Sequence, residues 1–265
     1  MHKKSVILVG ISIFLVLSIS FSGCLEDEEK LDPTIKRIQN SGKLIVGTST
    51  PYEPMEYIEN GEYVGFDVEL AEKIAEHFGV TVEIVDYTDY EDFEDILDYV
   101  TNGDVDIMLA AITINLERAQ RVDFSVGYLN AGQVIIVNES NEDIITPDDL
   151  EGLSVGVQSG TTGEEEAFRY TENVIGYGEN FTSNATLSLI SGKINAIIVD
   201  YPVGATLIKN NSKLKIIGDP FTSEYYGIAI KKGEASLQNE LNTVISNLEN
   251  SGEMQELRDK WLPKT

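Results

Sequence analysis

The sequence predicts an α/β protein of two lobes, each a mostly parallel sheet flanked by helices. Three observations predict it. Short, continuously apolar runs alternate with stretches of helical spacing, and this alternation occurs twice along the chain. The last helical segments have no strand after them, so they must pack on something made earlier.

In chain order the strand-like runs are LIVG (44–47), VEIV (82–85), DIMLAAI (106–112), QVIIVN (133–138), LSVGV (153–157), NAIIVD (195–200), LKIIG (214–218) and GIAI (227–230). Several are apolar throughout, as strands covered on both faces are. Between them Leu70, Ala71, Ile74, Ala75 and Phe78 recur at helical spacing, as do Ile96, Leu97 and Val100. Leu237, Leu241, Val244, Ile245 and Leu248 repeat the pattern before Gly252, and MQELRDKWL follows.

The simplest path places lobe 1 at 42–128 plus 227–265 and lobe 2 at 133–221, with hinge crossings at about 129–132 and 222–226. Two crossings permit hinge closure. Open sheets bind ligands outside the carboxyl ends of their strands, so site residues are expected in the cleft between the lobes.

The first residues bear on location. Lys3 and Lys4 precede an apolar run from Val6 to Phe21, then Ser22-Gly23-Cys24. About 16 apolar residues are short for a membrane span and normal for a secretory signal, here 1–23. Cys24, the only cysteine, reads as a lipidated first residue of the mature chain, although Phe21 stands where such processing boxes usually carry leucine. An uncleaved anchor helix is the alternative; both tether the protein to the outer face of a membrane. One cysteine excludes an intrachain disulfide. Residues 24–41, with Glu26-Asp27-Glu28-Glu29, read as a lipidated acidic tether.

The formal charge of -26 becomes -28 once Lys3 and Lys4 are removed, from 17 basic and 45 acidic residues. Such a surface repels nucleic acid and anionic lipid. The loop QSGTTGEEEAF lacks the Gly-Lys-Ser/Thr ending of a nucleotide-binding loop. His2 and His77 form no metal-ligand pattern, so neither metal nor cofactor is expected.

GFDVELAEKIAEHFGV (65–80) resembles the signature of the extracellular solute-binding proteins, family 3, the polar amino-acid-binding components of ABC importers. GKLIVGTSTPYEPMEY, NGDVDIMLAAITINLERAQRVDFS, GVQSGTTGE, SGKINAIIVDYP, SEYYGIAIKKG and LRDKW resemble the other landmarks in their usual order, over roughly 42 to 262. The resemblance implies the hinged periplasmic-binding-protein-like fold. It further implies an amino-acid ligand, an ABC permease as partner and a monomeric, non-enzymatic receptor.

Arg118 matches the arginine that grips the ligand carboxylate in that family, and a guanidinium presents a planar fork that fits two carboxylate oxygens. The plain alternative is a surface pair with Glu117 or Asp123. Arg121, one turn on, reads as solvated. Thr113 ends an apolar strand and Thr162 opens a likely helix; the resemblance assigns both to the same carboxylate, with capping by Thr161 or Thr162 compatible. Asp200, at the carboxyl end of AIIV, matches the acid that receives the ligand ammonium, although alone it would serve as well as a helix cap. Tyr52 and Phe93 match the aromatics that flank the ligand side chain; such residues otherwise fill cores.

Ser49 departs from the family, which often carries aspartate there for a cationic or amide side chain. Ala111 stands where glycine or serine is common. Together they imply a ligand with an uncharged side chain. Two other functions share the fold: a sensing module, disfavoured by a chain that runs out at WLPKT, and a dehydratase-like enzyme, for which Glu53 and Glu224 are the nearby acids.

Overall fold

The computed structural model describes residues 33–263 apart from 89, 91 and 179. The signal expected over 1–23, Cys24 and the acidic stretch after it lie outside the described residues.

The structure begins with α1 (Pro33–Ser41). Pro33 is tolerated in the first turn because its missing N–H would have no intrahelical partner there. Ile35 and Ile38, one turn apart, are buried against the first lobe. Residues 33–41 are therefore a helix docked on the domain, where a tether was expected.

The first lobe continues with β1 (Lys43–Thr48), β2 (Tyr57–Glu59), β3 (Glu62–Val64), α2 (Phe66–Phe78), β4 (Thr81–Asp86), α3 (Ile96–Asn102), β5 (Ile107–Met108), the short α4 (Arg118–Arg121) and β6 (Asp123–Phe124). After β7 (Leu129–Asn130) the second lobe comprises β8 (Gln133–Asn138), β9 (Val155–Gln158), α5 (Thr162–Tyr170), β10 (Val174–Tyr177), α6 (Phe181–Ile190), β11 (Ala196–Asp200), α7 (Tyr201–Asn210) and β12 (Leu214–Ile217). The chain returns through β13 (Tyr225–Tyr226) to β14 (Ala229–Ile230), α8 (Ala235–Ser251) and α9 (Glu253–Trp261).

The two main sheets have orders β4-β1-β5-β14-β6 and β10-β9-β11-β8-β12. In each, four strands run one way and one runs against them: β14 in the first sheet, β8 in the second. These reversed strands are the first main-sheet strands after each crossing between lobes. The crossings themselves pair as a short antiparallel ribbon, Leu129 opposite Tyr226 and Asn130 opposite Tyr225.

Packing explains the unbroken apolar runs. Ile107, Leu109 and Ala111 enter one core layer of lobe 1, while Met108, Ala110 and Ile112 enter the layer on the opposite face. In lobe 2, Val134 and Ile136 face one layer and Ile135 and Val137 the other. Strand alternation persists, but both faces are dry. Each buried aliphatic side chain contributes about 1.5–3 kcal/mol relative to exposure.

Some boundaries differ from the sequence reading. Only Ile107–Met108 of the run 106–112 pair as a regular strand, because the backbone turns at Ala111, which has φ of 50°. The β2–β3 hairpin was not anticipated; Asn60-Gly61 carries it, with φ of 54° and 87°. The signature glycine Gly65 has φ of 133°, and a Cβ there would overlap the Met55 carbonyl, so the entry to α2 requires glycine.

Candidate functional site

A cavity between the two lobes is lined by all eight binding residues expected from the sequence: Ser49, Tyr52, Phe93, Ala111, Thr113, Arg118, Thr162 and Asp200. Lobe 1 supplies six of them from the segments that follow β1, β4 and β5. Lobe 2 supplies Thr162 at the start of α5 and Asp200 at the end of β11.

Arg118 is only 2% exposed, and neither Glu117 nor Asp123 is its partner. Its Nε donates to Glu94 Oε1 at 2.7 Å and its Nη1 to the Thr113 carbonyl at 2.9 Å. Nη2 reaches the Gly160 carbonyl of lobe 2 at 3.4 Å, and Cζ lies 5.4 Å from the centre of the Phe93 ring. Asn115 Oδ1 accepts from the Arg118 backbone N–H at 2.8 Å, fixing the turn that aims the side chain. Five guanidinium N–H groups are available, so these bonds leave donors for a ligand.

Glu94 was missed by sequence reasoning, and Arg121 was misjudged as solvated. Arg121 Nη1 donates to Glu94 Oε2 at 3.0 Å and Nη2 to Asp98 at 2.8 Å. The line Asp98–Arg121–Glu94–Arg118 holds the buried guanidinium in place. Spacing alone did not reveal it, because Glu94 lies in a separate short helical turn at 93–95.

In lobe 2 the helix is capped by Thr161, whose Oγ1 accepts from the Glu164 N–H at 3.3 Å. That leaves Thr162 for the cleft, where its hydroxyl donates to Glu224 Oε2 at 2.5 Å. Glu224 also accepts from Thr222 at 2.6 Å. Glu53, the other acid raised from the sequence, is exposed and lies outside this cavity's lining.

Asp200 occupies the N-cap position of α7 but makes no side-chain cap bond. Its carboxylate instead accepts from Tyr52 and Tyr226 hydroxyls at 2.7 Å each and from Gln133 Nε2 at 2.5 Å. Burial raises its pKa to about 6, aided by the charge of Glu224 and opposed by those three hydrogen bonds. Gln133 and Tyr226 are further residues that the sequence did not single out.

Ser49 donates to the Tyr90 hydroxyl at 3.0 Å, and the same hydroxyl accepts from Gln158 of lobe 2 at 2.9 Å. The Phe93 backbone N–H donates to the Ser159 carbonyl at 3.1 Å. With the Tyr52–Asp200 and Arg118–Gly160 bonds, these contacts hold the lobes together across the cavity. Gly160 sits so close to Asp92 that a Cβ would overlap its carboxyl group.

Beneath the site, Asp67 accepts from the Ala111 N–H at 2.9 Å and from the Tyr128 hydroxyl at 2.8 Å. Burial raises its pKa to about 7 against the pull of both bonds. This acid links the strained Ala111 to Tyr128, immediately before the first crossing.

A mixed α/β fold of this kind, with charged groups from both lobes converging on one cavity, defines a hinged solute receptor. The family model for bacterial extracellular solute-binding proteins, family 3, matches residues 44–264, and the chain belongs to that family. It is 31% identical over 232 residues to the L-cystine-binding protein TcyJ of Escherichia coli strain K12, an alignment covering 86% of this chain and 85% of that protein. Among solved structures it resembles a mutant of ArgBP from T. maritima, with TM-score 0.79, 35% identity and coverage of 86% of this chain and 98% of that one. It also resembles the ancestral amino acid-binding protein AncCDT-1, a precursor of cyclohexadienyl dehydratase, with TM-score 0.80, 33% identity and coverage of 87% and 100%.

Proposed function

We propose that this protein is an extracellular receptor that captures a free amino acid by lobe closure and presents it to an ABC permease. The observation that carries the reading is the convergence of Arg118 from lobe 1 and Asp200 from lobe 2 on one cavity. The ligand carboxylate takes the remaining Arg118 donors, together with Thr113 and the start of α5 at Thr162. Its ammonium meets Asp200, and Tyr52 and Phe93 flank the side chain.

Closure pivots on the paired crossings at about 129–132 and 222–226 and is favoured by contacts that exist only in the shut form. The protein acts as a monomer, anchored by lipid at Cys24 on the outer face of the membrane. Relatives named for binding L-cystine, glutamine and arginine support an amino acid as the ligand class.

An uncharged ligand side chain was the expectation from Ser49. The Ser49 hydroxyl donates to Tyr90 and brings no charge to the cavity, in keeping with that reading. A dehydratase-like activity is the second reading; AncCDT-1 is itself named as an amino acid-binding precursor of such an enzyme, and Glu224, tied to Thr162 and Thr222, is the acid the activity would use.

A thermal-shift screen against all amino acids tests the receptor reading. A ligand at 100 times its dissociation constant adds about 2.7 kcal/mol of stability. No shift with any amino acid contradicts it.

A further inference from the structure

Glu224 belongs to the second crossing, yet its side chain reaches a residue that faces the ligand. It lies outside the cavity lining, and its Oε2 accepts the Thr162 hydroxyl at 2.5 Å. Its Oε1 accepts the Thr222 hydroxyl at 2.6 Å, and the Thr222 oxygen in turn accepts from the Gln133 backbone N–H at 2.8 Å. The Glu224 carbonyl accepts from the Ala131 N–H at 2.8 Å, so backbone and side chain both tie this residue to the first crossing. These bonds fix the carboxylate independently of Thr162.

Thr162 lines the cavity and is 9% exposed. A hydroxyl has one proton to give and two lone pairs to receive with. Here the proton goes to Glu224, and Gln133 Nε2 donates to the oxygen at 3.3 Å. A carboxylate entering the cavity would need that same proton, and only one of the two carboxylates can have it. Glu224 is the better placed, because its bond is short, charge-assisted and anchored to both crossings. What the start of α5 then offers a ligand is the backbone N–H groups of Thr162 and Gly163.

We propose that Glu224 is a positioning residue that withholds the Thr162 hydroxyl from the ligand carboxylate and so holds affinity below what the cavity could reach. The inference rests on the receptor reading above, in particular on a carboxylate bound beside Thr162. Its consequence is an uneven grip. Lobe 1 holds the carboxylate with the Arg118 cation, whereas lobe 2 offers neutral backbone donors with a like charge close by. When the lobes part, the carboxylate stays with lobe 1, and lobe 2 does not retain a ligand that must be handed on.

Titration calorimetry tests this with the tightest binder among the common amino acids and with its α-carboxamide. Glu224→Gln keeps the shape and an acceptor for Thr222 while removing the charge that claims Thr162. The variant should bind the amino acid roughly fivefold more tightly, the size of one hydrogen bond gained. The carboxamide, a neutral and weaker acceptor, should gain less than about twofold. Asp200 meets the ammonium of both ligands, so the influence of Glu224 on Asp200 cancels in the comparison. Thr162→Val alone should weaken amino-acid binding by less than about threefold, because the hydroxyl does not reach the ligand. In that background Glu224→Gln should bring no gain.

The inference is overturned if Glu224→Gln weakens binding or leaves it unchanged, if both ligands gain equally, if the gain survives in Thr162→Val, or if Thr162→Val alone costs more than stated. The Thr162→Val measurement stands by itself if Glu224→Gln does not fold. Each of these outcomes leaves the receptor reading intact. Failure of every amino acid to bind would overturn both.

Discussion

The hydroxyl of Tyr52 donates to Asp200 Oδ2 at 2.7 Å, joining a residue of lobe 1 to the acid of lobe 2 across the cavity. Tyr52 also packs against the cores of both lobes. In Tyr52→Phe the ring remains and the bond is lost. Hydrogen bonds to charged groups contribute about 1.5–3 kcal/mol, so the open form of the ligand-free protein should gain roughly tenfold or more over the closed form. Small-angle scattering should show a larger radius of gyration; an unchanged value would contradict this role.

Arg118→Ala should weaken ligand binding by about 2–5 kcal/mol, as truncating one partner of a buried, hydrogen-bonded charge pair does. Arg118→Lys should also lose affinity, because an ammonium cannot reproduce the fork that spans Glu94, Thr113 and a ligand carboxylate. A variant that binds within threefold of wild type would remove Arg118 from the site.

Arg121→Ala should cost less, about 0.5–1 kcal/mol of ligand affinity, since this half-exposed side chain acts only through Glu94. A double-mutant cycle between Arg121 and Arg118 checks the route. Additive losses would mean that the two arginines are not coupled through Glu94.

Asp67 gives a pH signature in stability. Its folded pKa of about 7 lies above the ordinary aspartate value of 3.8, so the folded state holds this proton more tightly than the unfolded one. The stability it contributes is fully present below about 4 and is lost as pH rises towards 7, at about 1.4 kcal/mol per pH unit. Asp67→Asn keeps an acceptor for the Ala111 N–H and should flatten this component. Chemical denaturation of the ligand-free protein from pH 4 to 8 should show a shallower decline in the variant; equal slopes would contradict it.

The large elements were legible because their burial pattern is strong. QVIIVN and AIIVD are apolar on both faces, and Leu237 to Leu248 keep one stripe over several turns. Short pairings such as Asp123–Phe124 and Leu129–Asn130 carry no period of their own and depend on a partner far along the chain. Residues 33–41 were misread because an acidic stretch precedes them, although Ile35 and Ile38 already marked a buried helical face.

The same distinction applies to the site. Arg118, Thr113, Thr162 and Asp200 stand at the ends of recognisable strands and helices or just beyond them, where motif position carries information. Glu94, Gln133 and Tyr90 act through partners about 24 to 70 residues away, which spacing does not encode.

The most direct test of the clamp is titration calorimetry with the amino acid that gives the largest thermal shift, alongside its N-acetyl and carboxamide derivatives. Each derivative removes the charge read by one lobe, Asp200 or Arg118. Both should bind at least a hundredfold more weakly than the free amino acid. A derivative that binds as tightly as the free ligand would contradict recognition of both ends.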